Sequence, residues 1–301
     1  MNDLLRILEG MKVKSNGVSQ KRKPINQTTF SDFSGDYSRT QSPSSINTYF
    51  ECPRKYFYKY IKNLPAKPSI HRIRGKLLHS VLEDFFNLDP SKLTPSQFEF
   101  EIRIVLLEDL KRKWFGMIKE IEQLGLSKEE IRAYFEDSKR MVSNFVAHYT
   151  NKIKPLLTEH SLAEAFQLLT PKREVFLISK RYNVQGYLDA IYKGEKVRII
   201  DYKTSSTDEF REEYKRQLAI YSLLYKENYG VLPDEVGLHF LLYGERVFPV
   251  TSELLTLGIK ACKFVHSRTK SGNMADYPKG KRPLCKWHSG ECDFYEICGG
   301  I

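Results

Sequence analysis

The sequence predicts an α/β (α+β) protein: a core sheet flanked by helices, with a helical insertion and a cysteine cluster at the C-terminus. Three observations carry that prediction. Apolar residues recur at helical spacing through most of residues 44–167. The texture then changes at "EVFLISKRYNVQGYLDAIYKGEKVRIIDYKTSS", which is rich in β-branched and aromatic residues and broken by KGEK. That reads as consecutive strands with a hairpin. Beyond it, one helical stretch, two more strands and a last helix follow, an order that builds a sheet covered by helices.

Residues 11–45 are rich in Ser, Lys, Asn, Gln and Thr and show little apolar periodicity. Residues 1–43 are therefore expected to form a flexible tail, with a short helix around Leu4–Leu8. The folded domain is expected over 44–301. It opens at "SPSSINTYFECPRKYFYKYI", where Ser44 or Ser45 can cap a helix. "IRGKLLHSVLEDFFN" is a second helix, with Leu78, Val81, Leu82, Phe85 and Phe86 as its apolar stripe. Residues 90–170 form the helical insertion, in which Ser127–Glu130 (SKEE) is a capping box. "EEYKRQLAIYSLLYKENYG" is a helix stopped by Gly230. "EVGLHFLLYGERVFPVT" supplies two strands and "SELLTLGIKACKFVHSR" the last long helix. No internal repeat is visible.

The 301 residues carry 48 Lys+Arg against 37 Asp+Glu, a surplus of 48 − 37 = 11. Such a surplus fits a polyanionic partner, nucleic acid or an anionic membrane, and equally a solvated basic surface. The opening "MNDLLRILEGMKVKSN" does not read as a secretory signal, because Arg6 and Glu9 interrupt its apolar run. With no stretch suited to span a bilayer, a soluble cytoplasmic protein is expected. No G-x-x-x-x-G-K-[ST] loop occurs, so nothing points to a nucleotide-driven motor. Five cysteines in a reducing compartment point to metal more than to disulfides.

The chemistry centres on "GYLDAIYKGEKVRIIDYKT". Asp201 and Lys203 are two apart on a strand and share a face. If the hairpin loop is Lys193–Gly194–Glu195, Asp189 lies diagonal to Asp201 across the ladder. Two carboxylates beside a lysine make a site for Mg²⁺ or Mn²⁺. Taken alone, D-x-K also describes a surface ion pair; the surrounding motifs distinguish the two.

Those motifs occur in a fixed order: CPRKY at Cys52, GKLLH at Gly75–His79, GYLD at Gly186–Asp189, DYKT at Asp201–Thr204, QLAIY at Gln217–Tyr221, then the cysteines. The set resembles the PD-(D/E)XK nuclease superfamily, in particular its RecB-like iron–sulfur exonucleases of the CRISPR-associated exonuclease and AddB nuclease-domain types. The resemblance covers residues 44–301 and implies a restriction-endonuclease-like core sheet. It implies that His79, Asp189 and Asp201 bind Mg²⁺ or Mn²⁺, with a peptide carbonyl near Tyr202. Lys203 would help activate water, and the helix of Gln217 and Tyr221 would flank the site and contact DNA or the lysine. Glu174, which opens the first strand, is a further candidate acid. Without the resemblance, His79 reads as a core histidine and Tyr221 as part of an apolar stripe.

In the iron–sulfur members of that group, one early cysteine joins three from the C-terminus. The resemblance thus implies a [4Fe–4S] cluster on Cys52, Cys285, Cys292 and Cys298, acting as structure. The tail spacing here is C-x6-C-x5-C, where the family has C-x2-C-x5-C. The longer gap admits His288 as a ligand, and Zn²⁺ is the alternative metal. Cys262, in "IKACKF", is expected to pack as a small apolar group.

"PRKYFYKYIKN" alternates cations with aromatics. Arg54 and Lys55 can follow a phosphate backbone while rings stack on bases, or the rings can be the core face of an amphipathic helix. The function the resemblance implies is a metal-dependent deoxyribonuclease. It would act as an exonuclease from single-stranded DNA ends, with the helical insertion as a wall over the site. The alternative is a non-catalytic DNA-end-binding component of a recombination, repair or CRISPR adaptation complex, whose proteins would be its partners. No membrane partner is expected.

Overall fold

In the computed structural model, residues 39–280, 285–287 and 290–299 are described. The expected helix at Leu4–Leu8, the tail up to residue 38 and His288 lie outside them. Order is present upstream of residue 44: Gln41 is buried and bridges Val184. Helix α1 (Pro43–Glu51) is capped by Ser42, not by Ser44 or Ser45. The Ser42 hydroxyl accepts from Ser45 N–H, and Ser42 N–H donates to Ser45 Oγ. Pro43 explains the earlier start, because proline is preorganised for the first helical position and has no N–H to lose there. Cys52 ends α1 and begins α2 (Pro53–Tyr56), which runs into a π-helical turn at Phe57–Ile61. Tyr56, Phe57 and Tyr58 are all buried, so the aromatics of that stretch are core.

Helix α3 (Ile70–Phe85) buries the expected stripe, Leu78, Val81, Leu82 and Phe85, with Phe86 just beyond its end. The insertion contains α4 (Phe98–Gly116), α5 (Ile118–Glu122), α6 (Lys128–Ile153) and α7 (Leu162–Leu169). The Ser127–Glu130 capping box opens α6. The sheet follows in chain order: β1 (Lys172–Ser179), β2 (Val184–Lys193), β3 (Val197–Lys203), β4 (Glu235–Phe240) and β5 (Gly244–Pro249). Among the strands of the described sheet, β3 and β4 pair in parallel and the others antiparallel, and α8 (Glu212–Tyr229) makes the crossover that the parallel pair requires. Gly230 closes α8 at φ 77°. Helix α9 (Ser252–Arg268) lies so close to α8 that a Cβ on Gly258 would sit 2.6 Å from the Ala219 carbonyl oxygen. In the tail, β6 (Lys286–Trp287), β7 (Gly290–Glu291) and α10 (Tyr295–Cys298) follow.

Each face of the sheet has its own core. The insertion helices and α3 pack on Ala190, Ile200 and Tyr202. Helices α1, α8 and α9 pack on Leu188, Ile191, Ile199, Val236 and Leu238. In a regular strand Leu188 and Ala190 would share a face. Here they do not, and the alternation lapses at Asp189. Its counterpart on β1, by the register Arg173–Ala190 and Val175–Leu188, is Glu174, which adopts φ 46°. A non-glycine residue in that region carries a cost of order 1–3 kcal/mol and is held there by its surroundings. Two acids thus face each other where the ladder changes sides.

The β2–β3 turn is one residue later than expected. Lys193 pairs with Val197, leaving 194–196 as the turn. Continuing that register beyond Ala190–Ile200 sets Asp189 level with Asp201 instead of diagonal to it. Among the described residues, no helix is long and apolar enough to cross a membrane.

Candidate active site and cysteine pocket

Three elements meet at the C-terminal end of β3. Helix α3 brings His79, β2 brings Asp189, and β3 brings Asp201 and Lys203. His79 Nδ1 lies 3.5 Å from Asp189 Oδ2, and its Nε2 lies 3.1 Å from the Tyr202 carbonyl oxygen. Tyr202 N–H donates to Asp189 Oδ2 at 2.9 Å. One ligand atom each from His79, Glu174 and Asp189 falls within 4.8 Å of the others. These three line a cleft with Glu83, Phe86, Arg173 and Tyr202.

Asp201 points into a second, adjoining network. It is 3% exposed. Its Oδ2 is 2.7 Å from Lys203 Nζ, and its Oδ1 accepts from Gln217 Nε2 at 2.9 Å and Tyr221 OH at 3.2 Å. Lys203 also donates to Gln217 Oε1 at 2.7 Å and sits 4.8 Å from the centre of the Tyr214 ring. Gln217 and Tyr221 share one face of α8, as their i, i+4 spacing predicts, and Gln217 Nε2 donates to Tyr221 OH. Tyr214 is the residue sequence reasoning missed. Its place three before Gln217, on the same helical face, was the available signal.

The charges of this site support one another. Burial alone would lower His79, but the Asp189 carboxylate overrides it and pushes the imidazole up to about 9. Burial works against the charge of Asp189 too, yet His79 and the Tyr202 N–H hold its carboxyl below the ordinary value. Asp201 is raised, because burial outweighs the pull of Lys203. Lys203 is raised despite burial by Asp201 and Asp189. An acid pushed up beside an acid pulled down is the usual signature of a functional site.

The far cysteines also converge. Cys52, Cys285, Cys292 and Cys298 line one pocket with Arg54, Lys55, Tyr58, Lys279 and Phe294. Cys52 Sγ accepts from Lys55 N–H at 3.4 Å and Gly280 N–H at 3.2 Å. Burial raises Cys292 and Cys298. Cys262 lies elsewhere, fully buried in α9, with its thiol pushed up to about 12. Arg54 and Lys55 belong to this pocket: Arg54 Nε donates to the Tyr277 carbonyl oxygen and Lys55 Nζ pairs with Glu51. Tyr221, the third residue expected at DNA, is buried against Asp201.

The chain is 28% identical over 227 residues to one component of the ATP-dependent helicase/deoxyribonuclease of Carboxydothermus hydrogenoformans. That match covers 64% of this chain and 19% of the relative, so the chain spans about a fifth of the relative's length. Among solved structures it is similar to an exonuclease candidate from Eubacterium rectale, at 14% identity and a TM-score of 0.45, covering 87% of this chain and 93% of that one. The PD-(D/E)XK nuclease superfamily model matches residues 40–299, nearly the whole described chain. The chain belongs to the PD-(D/E)XK nuclease superfamily.

Proposed function

We propose that this protein is a divalent-metal-dependent DNA exonuclease that hydrolyses phosphodiester bonds from single-stranded ends and carries a structural [4Fe–4S] cluster. The observation that carries the catalytic reading is the convergence of His79, Glu174, Asp189, Asp201 and Lys203 at one end of β3. The donor set suits a hard cation: carboxylate oxygens, the Tyr202 carbonyl and one imidazole, the acids held in a buried site. His79, Asp189 and Asp201 would hold Mg²⁺ or Mn²⁺, with Glu174 beside them. When bound, the cation supplies Lewis acidity and offsets phosphate charge. Lys203 places an ammonium where negative charge develops on the phosphoryl oxygens, and its neighbours Gln217 and Tyr214 fix its position. Tyr221 and Gln217 orient Asp201 by two hydrogen bonds to one oxygen. The helical insertion shares a core with α3, the helix that carries His79, and as a wall over the site it would favour a threaded single strand.

The cluster reading is supported by four cysteines from opposite chain ends lining one pocket. Two N–H donors on Cys52 Sγ suit a thiolate. Zn²⁺ on the same four cysteines is the alternative centre.

The test uses end-labelled linear single strands, linear duplex and circular single strands, with Mg²⁺ or Mn²⁺. Label release from linear single strands, resistance of circles, and no cleavage by Asp189→Asn or in EDTA are expected. Circles cut as fast as linear strands would make the protein an endonuclease. DNA-end binding without cleavage in either metal would favour the non-catalytic reading.

A further inference from the structure

We propose a second metal site, for one zinc-like divalent transition-metal ion, formed by His148, His239 and Glu245 on the side of the sheet covered by the insertion. Its residues come from three elements. The β4–β5 register sets His239 directly across from Glu245. Helix α6 lays His148 over the pair, with its ring 4.5 Å from that of His239, centre to centre. One ligand atom from each of the three falls within 4.8 Å of the others.

The distances are close to those a tetrahedral ion needs. His148 Nε2 is 3.3 Å from Glu245 Oε1, and His239 Nδ1 is 4.0 Å from the same oxygen. Metal–nitrogen bonds near 2.0–2.1 Å place neighbouring tetrahedral ligands roughly 3.3 Å apart. One pair is already at that separation, the second needs a sub-ångström shift, and the third, between the two imidazoles, brings one nitrogen of each within 4.8 Å. His148 Nε2 is buried and, apart from its 3.3 Å approach to Glu245 Oε1, has no hydrogen-bond partner, so the atom already faces the carboxylate with which it would share an ion. His239 is 2% exposed, which excludes a casual surface pairing.

Burial pushes His239 down to about 3, leaving it neutral. Glu245 is pulled down to about 2 by His148 and Lys152 against the effect of burial. Two imidazoles and one carboxylate favour zinc-class ions over Mg²⁺, which prefers all-oxygen shells. Lys152, one turn after His148 on α6, now neutralises the carboxylate, with Nζ 3.1 Å from both Glu245 oxygens. Its side chain is partly exposed and can turn to solvent as the ion enters. The ion would fasten α6 to the β4–β5 hairpin, where Asn144 Nδ2 already donates to the Leu241 and Leu242 carbonyl oxygens. The site stands apart from the cleft of His79 and does not depend on the exonuclease reading.

Equilibrium dialysis against Zn²⁺, with metal quantified per protein in excess Mg²⁺, tests this. Wild type should hold one more equivalent than either Glu245→Gln or His148→Asn, the tail cysteines contributing equally to all. Lys152→Met, which removes the competing ammonium, should bind that equivalent about tenfold more tightly. With Co²⁺, the wild-type minus His148→Asn difference spectrum should show ligand-field bands without thiolate charge transfer. Equal zinc content in wild type, Glu245→Gln and His148→Asn overturns the site. Unchanged affinity in Lys152→Met does so as well, and that result stands even if the ligand variants fail to fold.

Discussion

Replacing Lys203 by methionine removes a cation while keeping most of the side-chain volume. The lost contacts are the 2.7 Å ion pair with Asp201 Oδ2 and the 2.7 Å hydrogen bond to Gln217 Oε1. Asp201 keeps the donors from Gln217 and Tyr221 but not the opposing charge. Breaking a buried ion pair from one side costs about 3–5 kcal/mol. Lys203 retains some exposure, so a loss of about 3 kcal/mol is expected at pH 7.5, read by urea denaturation in EDTA. The pH dependence follows from the Asp201 carboxyl, already raised by burial and raised further without Lys203. Between its unfolded and folded values the native state binds the extra proton, so the variant loses stability as pH rises and regains it on acidification. The penalty should therefore shrink at pH 5. A loss below about 1 kcal/mol at pH 7.5, the range of surface pairs, would refute the buried-pair account. So would a penalty that is undiminished at pH 5.

Four further outcomes are expected. In EDTA, His79, pushed up to about 9, contributes stability that is complete below its ordinary value of about 6.5 and is lost as pH rises through 9. Denaturation midpoints should fall across that window in wild type and flatten in His79→Gln; parallel curves would remove the Asp189–His79 pair from the explanation. Gly258→Ala should lower stability by about 1–3 kcal/mol, seen as a lower melting temperature, because its Cβ meets the Ala219 carbonyl at 2.6 Å. An unchanged melting curve would mean that α8 and α9 separate freely. Cys52→Ser and Cys298→Ser should lose the brown colour of anaerobically purified protein and melt earlier, since cluster binding is part of folding when ligands come from distant segments. Cys262, with its thiol near 12, should resist alkylation until the protein unfolds, and full colour in Cys52→Ser would point the fourth ligand elsewhere.

Much of this site was legible because strand and helix periods are short and rigid. Asp201 and Lys203 two apart, and Gln217 and Tyr221 four apart, had to share faces once β3 and α8 were recognised. The stripe from Leu78 to Phe86 likewise announced its own burial. What the residues hid depends on tertiary contact. The change of side at Glu174 and Asp189 has no local code, since glutamate does not choose positive φ unaided. PRKYFYKYI admitted both a phosphate path and a core face, and which rings turn inward, here Tyr56, Phe57 and Tyr58, is decided by packing, as is the Arg54 Nε contact with the Tyr277 carbonyl. The hairpin turn lies one residue later because Lys193 and Val197 close the ladder, where the expected loop would close on Tyr192 and Lys196.

Residue 202 ties the cleft to the insertion in a way that constrains variation at that position. Its amide and carbonyl groups address Asp189 and His79, while its ring lies among Phe145, His239 and the hydroxyl of Tyr192. Any residue but proline supplies the same two peptide groups, so the chemistry of the cleft's two contacts does not depend on the side chain placed there. They can still be displaced, because the ring sets how far the strand sits from the insertion. A smaller residue at 202 would let the strand settle toward α6 and carry both peptide contacts with it. Beside Ala190 and Ile200, that ring lets the helical insertion bear on the depth of the cleft, so a change in its packing is transmitted as a change in position, with no polar group altered.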